Sequence, residues 1–184
     1  MPALTTPAAS IGWHAPDFKL RGTDGKTWSL RDARGAKGLV VMFICNHCPF
    51  VRAIADKIAR DAKALAAEGI GSIAVMSNDT EHYPEDSFDN MKAFAGKHGF
   101  TFPYAIDETQ AVARAYGAVC TPDFFGFDAN LTLQYRGRLD ASGMQKTESG
   151  ARELFEAMTQ VAMTGRAPAA QHPSIGCSIK WRGE

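Results

Sequence analysis

The chain has 184 residues, 45% hydrophobic and 22% charged, which suits one domain with its own core. Twenty basic and twenty acidic residues cancel, and no lysine- or arginine-rich block marks a nucleic-acid or anionic-membrane partner. The longest apolar run, Leu39 to Ile44, is far too short to span a bilayer, and four cysteines in this length are not a secreted disulfide framework.

The N-terminal "MPALTTPAAS" has neither the basic nor the apolar segment of a signal peptide. The expectation is a cytoplasmic protein, with residues 1–10 as a flexible arm and 11–184 as a single domain. "DFKL" and "KTWSL" flank Asp24-Gly25, a hairpin signal. "GLVVMFIC" is a continuous apolar, β-branched run and reads as a strand buried on both faces.

From Pro49 to about Ala67 the period becomes helical, with Phe50, Ile54, Ile58, Ala62 and Leu65 on one face. Pro49 suits a first helical turn and Gly69 a helix end. "GIGSIAVMS" is a second buried strand, so strand, helix and strand form a right-handed βαβ unit with a parallel sheet.

"PEDSFDNMKAFAGKHG" is a further helix, with Phe88, Met91, Phe94 and Ala95 inward, and "ETQAVARAYG" is a short one. "DFFGFD" and "LTLQYRG" form an antiparallel pair, and "ARELFEAMTQVAMTG" is a last helix. Residues 166–184 read as an irregular tail carrying Cys177. The plan is α/β: a central mixed sheet flanked by helices, with an N-terminal β-hairpin.

The chemistry centres on Cys45-Asn46-His47-Cys48, where the first buried strand meets the helix. Residues one turn apart have about the Cα separation that a disulfide needs. Unpaired N–H groups at a helix N-terminus favour the thiolate, the form that attacks disulfides or peroxides. His47, as donor or cation, would stabilise a neighbouring thiolate, or it is a solvated loop histidine. A zinc site needs four ligands. Cys120, Cys177, His172 and His47 are the available partners, but no second closely spaced pair exists, so no metal is assigned. Pro122 in "CTPDFF" precedes a strand and marks an edge or turn, cis or trans. Cys120 reads as a small buried residue.

Taken together, "IGWHAPDFKLRGTDGKTWSL", the buried strand into "CNHCPF", the βαβ unit and "YGAVCTPDFFGFD" resemble the thioredoxin superfamily. More narrowly, with "SNDTEHYPEDSFDNMKAFA" and "PSIGCSIKW", the chain is similar to the CxxC-carrying branch of the alkyl hydroperoxide reductase/thiol-specific antioxidant (peroxiredoxin-like) proteins. The resemblance implies a thioredoxin-like fold, with Cys45 and Cys48 as the redox couple. It implies that Pro122 is a cis-proline facing them, and that Thr121 offers its backbone to an extended substrate.

Peroxiredoxins resemble P-x-x-x-T-x-x-C around their reactive cysteine. With Cys48 on that cysteine, the threonine position holds Cys45 and the first proline position holds Val41. The peroxiredoxin arginine falls at Pro122, leaving Arg52, Arg136 and Arg138 as stand-ins. Thioredoxins carry tryptophan where Ile44 stands and a buried aspartate where Leu39 stands.

The function expected is therefore thiol-disulfide exchange, with Cys45 attacking, Cys48 resolving, His47 tuning, and Thr121 and Pro122 positioning the substrate. The alternative is a thiol peroxidase with Cys48 as peroxidatic cysteine and Cys45 resolving. Cys177 and Cys120 are candidate additional redox thiols. No organic cofactor is required. The partners expected are protein or small-molecule thiols and disulfides, with peroxides under the alternative, and neither nucleic acid nor membrane. Composition does not fix the oligomeric state.

Overall fold

The computed structural model describes residues 3–145 and 150–184. In chain order its elements are β1 (Ala3–Thr5), β2 (Lys19–Gly22), β3 (Thr27–Ser29), α1 (Leu30–Ala33), β4 (Gly38–Phe43) and α2 (Pro49–Ala67). There follow β5 (Ile70–Met76), a 3-10 turn (Pro84–Asp86), α3 (Phe88–His98), β6 (Tyr104–Ile106), α4 (Ala111–Tyr116) and β7 (Cys120–Thr121). The chain ends with β8 (Asp123–Asp128), β9 (Leu133–Gly137), α5 (Glu153–Thr164) and β10 (Ile175–Ser178).

β4 is the centre of the fold. All six of its residues are buried because both faces of the sheet are covered. Side chains alternate along the strand. Val40, Met42 and Ile44 join Ile54, Ile58 and Leu65 of α2, with Met91 of α3 and Met158 of α5, on one face. Leu39, Val41 and Phe43 join Leu20, Val112, Tyr116 and Phe127 on the other.

The seven-stranded sheet has the order β3-β2-β6-β5-β4-β8-β9. β4, β5 and β6 are parallel, whereas β8 runs antiparallel to β4 and β2 antiparallel to β6. The expected N-terminal hairpin is β2–β3, paired Lys19 to Ser29. Asp24 closes its turn by accepting from the Lys26 amide at 3.0 Å and the Trp28 indole at 3.2 Å.

α2 buries Ile54, Ile58, Ala62 and Leu65, as its periodicity predicts, but also Lys57 and Asp61. These polar groups find partners: Lys57 reaches Asp140 at 3.0 Å, and Asp61 takes Arg152 at 2.6 Å. Among the described residues no helix is long and apolar enough to cross a membrane.

Two expectations need correction. The arm is not loose over its described part, since Ala3–Thr5 is a strand and Thr6 is buried (residues 1 and 2 lie outside the described residues). The tail is not wholly irregular, since Ile175–Ser178 is a strand. Together they form a second, antiparallel sheet, β1-β10-β7. Each strand is too short to show a pattern of its own, and each is held by a neighbour distant in sequence.

Candidate active site

β4 ends inside the molecule, and the chain turns through Ile44 to His47 before α2 begins. Cys48 is the N-cap of α2, with extended φ −65° and ψ 123°, and Pro49 is the first helical residue. A residue before proline avoids helical dihedrals, so the sequence Cys-Pro itself fixes Cys48 at the helix mouth.

Facing the two cysteines is the β7–β8 junction, where the Thr121–Pro122 bond is cis. Cys45 Sγ lies 3.5 Å from Thr121 Oγ1, and the Cys48 thiol donates to the Thr121 carbonyl oxygen at 3.2 Å. One residue thus contacts both sulfurs. All four cysteines are free thiols; Cys45, Cys48 and Cys120 are buried and Cys177 is half-buried.

The two thiols are not equivalent. Cys48 is lowered to about 5, first by the hydrogen bond from Cys45 and then by Thr121 and the amides of Val51 and Cys177, against the penalty of burial. The Thr121 carbonyl opposes this, because it accepts from a thiol and repels a thiolate, but the donors outnumber it. Cys45 is raised well above a free thiol, first by its hydrogen bond to Cys48, then by burial and the nearby Asp86 carboxylate. These directions favour Cys48 as the charged sulfur, whereas the sequence reading put the attack on Cys45.

Sequence reasoning left the buried aspartate of the site unassigned. The structure supplies one from elsewhere: Asp86, at the end of the 3-10 turn, is fully buried. It accepts from the Asn46 amide at 2.8 Å and from Asn78 Nδ2 at 2.9 Å, and His47 Nδ1 is 2.6 Å from its second oxygen. Four acidic residues lie between Asp79 and Asp86, and nothing local marks which one turns inward.

His47 is raised, first by the Asp86 hydrogen bond, against the penalty of burial. Its ring stacks on Tyr83, 5.8 Å between centroids. His47 therefore pairs with a buried carboxylate and not with either sulfur. Asn46 completes the loop by accepting from the Tyr104 hydroxyl at 2.8 Å. One ligand atom each of Cys45, His47 and Asp86 lies within 4.8 Å of the others, and His47 and Asp86 already satisfy each other.

Strand β10 brings Cys177 to the same place. Cys177 is the register partner of Thr121, and Ser178 of Cys120. Cys177 packs against the buried cluster that holds Cys45 and Cys48. Desolvation first, and then the Cys48 contact, push the Cys177 thiol up to about 11. Side chains alternate, so Cys120 points to the opposite face of β7, where burial pushes it up to about 12.

The cavity beside Pro122, lined by Phe50, Ile54 and Ile175 among others, holds about 90 Å³. Small-molecule pockets usually run to ~300–1,000 Å³, so a small bound substrate is not what this recess fits. Arg136 pairs with buried Asp123 at 2.8 Å, and Arg138 with Glu153 at 3.0 Å, so two of the three stand-ins for a peroxiredoxin arginine are committed to other anions.

The chain is similar to a thiol-disulfide oxidoreductase ResA of Geobacillus thermodenitrificans, 28% identical over 130 residues. That alignment covers 67% of this chain and spans 66% of the length of that protein. Among solved structures it resembles an uncharacterized conserved protein from Geobacillus kaustophilus, 44% identical with a TM-score of 0.93, covering 100% of this chain and 98% of that one. It also resembles a hypothetical protein from Sinorhizobium meliloti 1021, 35% identical with a TM-score of 0.91, covering 98% and 99%. The AhpC/TSA family model matches residues 11–136, which hold both cysteines of the pair and the cis-proline. This thioredoxin-like chain, with its cysteine pair at a helix mouth, belongs to the AhpC/TSA family.

Proposed function

We propose that the protein is a thiol-disulfide oxidoreductase whose working couple is Cys45 and Cys48. The observation that carries this reading is the contact of both sulfurs with Thr121, 3.5 Å and 3.2 Å away, beside a cis-proline at a strand edge. The similarity to ResA, named a thiol-disulfide oxidoreductase, supports it.

In the reducing direction the Cys48 thiolate attacks the oxidised sulfur presented to it, and that sulfur's partner leaves as a thiolate. Cys45 then gives up its proton, with the Asp86 carboxylate, within 4.8 Å, as the base. It attacks Cys48 Sγ, closes the Cys45–Cys48 disulfide and releases the second thiolate. The reverse sequence donates a disulfide. A thiolate of low pKa stabilises the reduced form, so the couple is an oxidising one. Its partners are thiols and disulfides, and a cytoplasmic setting is part of the proposal.

Turnover of a model disulfide tests it. Cys45→Ser and Cys48→Ser should each abolish multiple turnover, and full activity in both variants would overturn the assignment.

Family membership and the low pKa of Cys48 favour a second reading, peroxide reduction. Peroxide would oxidise Cys48 to a sulfenic acid, and Cys45 would condense with it to the disulfide, releasing water. Rapid peroxide consumption in stopped flow, with Cys48 as the only essential thiol, would favour it over disulfide exchange.

A further inference from the structure

Both sulfurs of the pair are closed off, Cys45 at 1% and Cys48 at 0% exposure, while Cys177 keeps a partly exposed surface. What covers them is the chain's own strand β10. In a thioredoxin-like fold the residue before the cis-proline offers its backbone to an extended polypeptide. Here that position is filled: Cys177 pairs with Thr121 in antiparallel register.

The fit is close. A Cβ built on Gly176 would lie 1.9 Å from the Thr121 carbonyl oxygen, so only glycine lets the strand approach this far. The strand is fastened at both ends. Buried Ser174 donates from its hydroxyl to the Pro122 carbonyl, and its amide donates to Thr6 Oγ1 at 3.0 Å. Lys180 donates from its amide to Asn78 Oδ1 at 2.9 Å. The strand lies as a substrate would, with a cysteine opposite Thr121 and packed against the buried cluster that holds Cys48.

We propose that Cys177 is a third exchanging thiol, carried on an internal pseudosubstrate strand, and that it relays disulfide exchange between the buried pair and external thiols. The proposal rests on the oxidoreductase reading of Cys45 and Cys48 and adds the route by which their disulfide reaches solvent.

The relay begins with the Cys45–Cys48 disulfide. Cys177 loses its proton to solvent and attacks Cys48 Sγ. The Cys48–Cys177 disulfide forms, and Cys45 leaves and takes up a proton. An external thiolate then attacks Cys177 Sγ, and Cys48 leaves as a thiolate. A leaving group of low pKa departs fastest, which makes Cys177 the favoured point of attack. A second external thiolate clears the mixed disulfide from Cys177. In sum, two external thiols become one disulfide and the enzyme disulfide becomes a dithiol.

Two measurements test this on the full chain. In a non-reducing tryptic map, Cys45 and Cys48 share peptide 38–52, and Cys177 lies on 167–180. Diamide-oxidised Cys45→Ser should link these two peptides through Cys48 and Cys177. Oxidised wild type and Cys177→Ser are then mixed with reduced glutathione, quenched by alkylation and read by mass. Cys177→Ser should still form the Cys45–Cys48 disulfide but react at least tenfold more slowly than wild type. Equal rates, or an alkylatable Cys48 with no cross-link in oxidised Cys45→Ser, would overturn the relay. If neither wild type nor Cys177→Ser forms the Cys45–Cys48 disulfide, the oxidoreductase reading fails and the relay with it.

Discussion

Cys48 and Thr121 meet at 3.2 Å, the thiol of one donating to the backbone carbonyl of the other across the mouth of α2. A strand edge, a helix N-terminus and a sulfur converge on that one contact. The contact holds Cys48 beside Thr121 while its sulfur is protonated, and the strand that pairs with Thr121 also lies over Cys48.

The ionisation of Cys48 sets the first prediction. Thiolate absorbance near 240 nm should appear in the reduced protein with a midpoint near about 5, and Cys48→Ser should lose it. Cys45→Ala removes the largest stabilising hydrogen bond, so its midpoint should rise. With one thiolate and one thiol in the reduced pair, reduction takes up two electrons and one proton above that midpoint. The reduction potential should then fall by about 30 mV per pH unit, half the slope of a pair taking up two protons.

The same shift bears on stability. The folded pKa of Cys48 lies below its unfolded value, so in the midrange the unfolded chain binds more protons there. Its contribution is fully present above the unfolded pKa and is lost as pH falls towards about 5. Urea unfolding of reduced wild type should gain stability across that range relative to Cys48→Ser. A flat difference would contradict the thiolate assignment.

The His47 midpoint should depend on Asp86. Asp86→Asn removes the strongest cause of the raised His47 pKa and leaves the desolvation penalty in place. NMR titration should place the His47 midpoint of the variant below that of wild type. In wild type, the stability this ion pair adds is fully present below the unfolded histidine pKa and is lost as pH rises through the raised folded value. Asp86→Asn should also slow closure of the Cys45–Cys48 disulfide, since Cys45 loses the carboxylate within 4.8 Å of it.

Gly176→Ala should loosen β10. The new methyl group would lie 1.9 Å from the Thr121 carbonyl oxygen, so the strand must shift. Overpacking of this kind costs about 1–3 kcal/mol. Alkylation of Cys48 in the reduced protein should accelerate roughly tenfold, with unfolding stability lowered by no more than that cost. Unchanged alkylation would show that β10 does not shield the sulfur.

Arg136 anchors the segment after the cis-proline. Its guanidinium pairs with buried Asp123 at 2.8 Å and donates to the Gly117 carbonyl at 3.0 Å. Burial already pushes the Asp123 carboxyl up in spite of this partner. Arg136→Met would leave that carboxyl unpaired in the core and should cost about 3–5 kcal/mol in urea unfolding.

The strongest elements were legible because their patterns are local. The unbroken apolar run of β4 announces burial on both faces, and the spacing of Ile54, Ile58, Ala62 and Leu65 announces α2. Asp24-Gly25 marks the hairpin. The cysteine pair was legible for a similar reason, since Pro49 fixes where the helix begins. What stayed hidden depends on distant pairing. Tyr104–Ile106 is a three-residue strand held by β5. Ile175–Ser178 is a strand only because Thr121 and Ala3 flank it, and its glycine reads locally as a turn. Asp86 becomes a site residue through Asn46 and His47, some 40 residues earlier in the chain. Which sulfur ionises more easily was equally out of reach, because it depends on which one collects the donors and which lies beside the carboxylate.

The central claim is that Cys45 and Cys48 are a reversible two-electron couple. Its most direct test is equilibration of the protein in glutathione buffers of graded redox ratio, followed by acid quench, alkylation and mass analysis of peptide 38–52. The account predicts one cooperative transition, in which both cysteines pass together from alkylated thiols to a disulfide two hydrogens lighter than the dithiol, at a potential above that of a typical reductant such as thioredoxin, about −270 mV. Both thiols remaining alkylatable at every ratio, or Cys48 oxidising alone while Cys45 stays a free thiol, would contradict it.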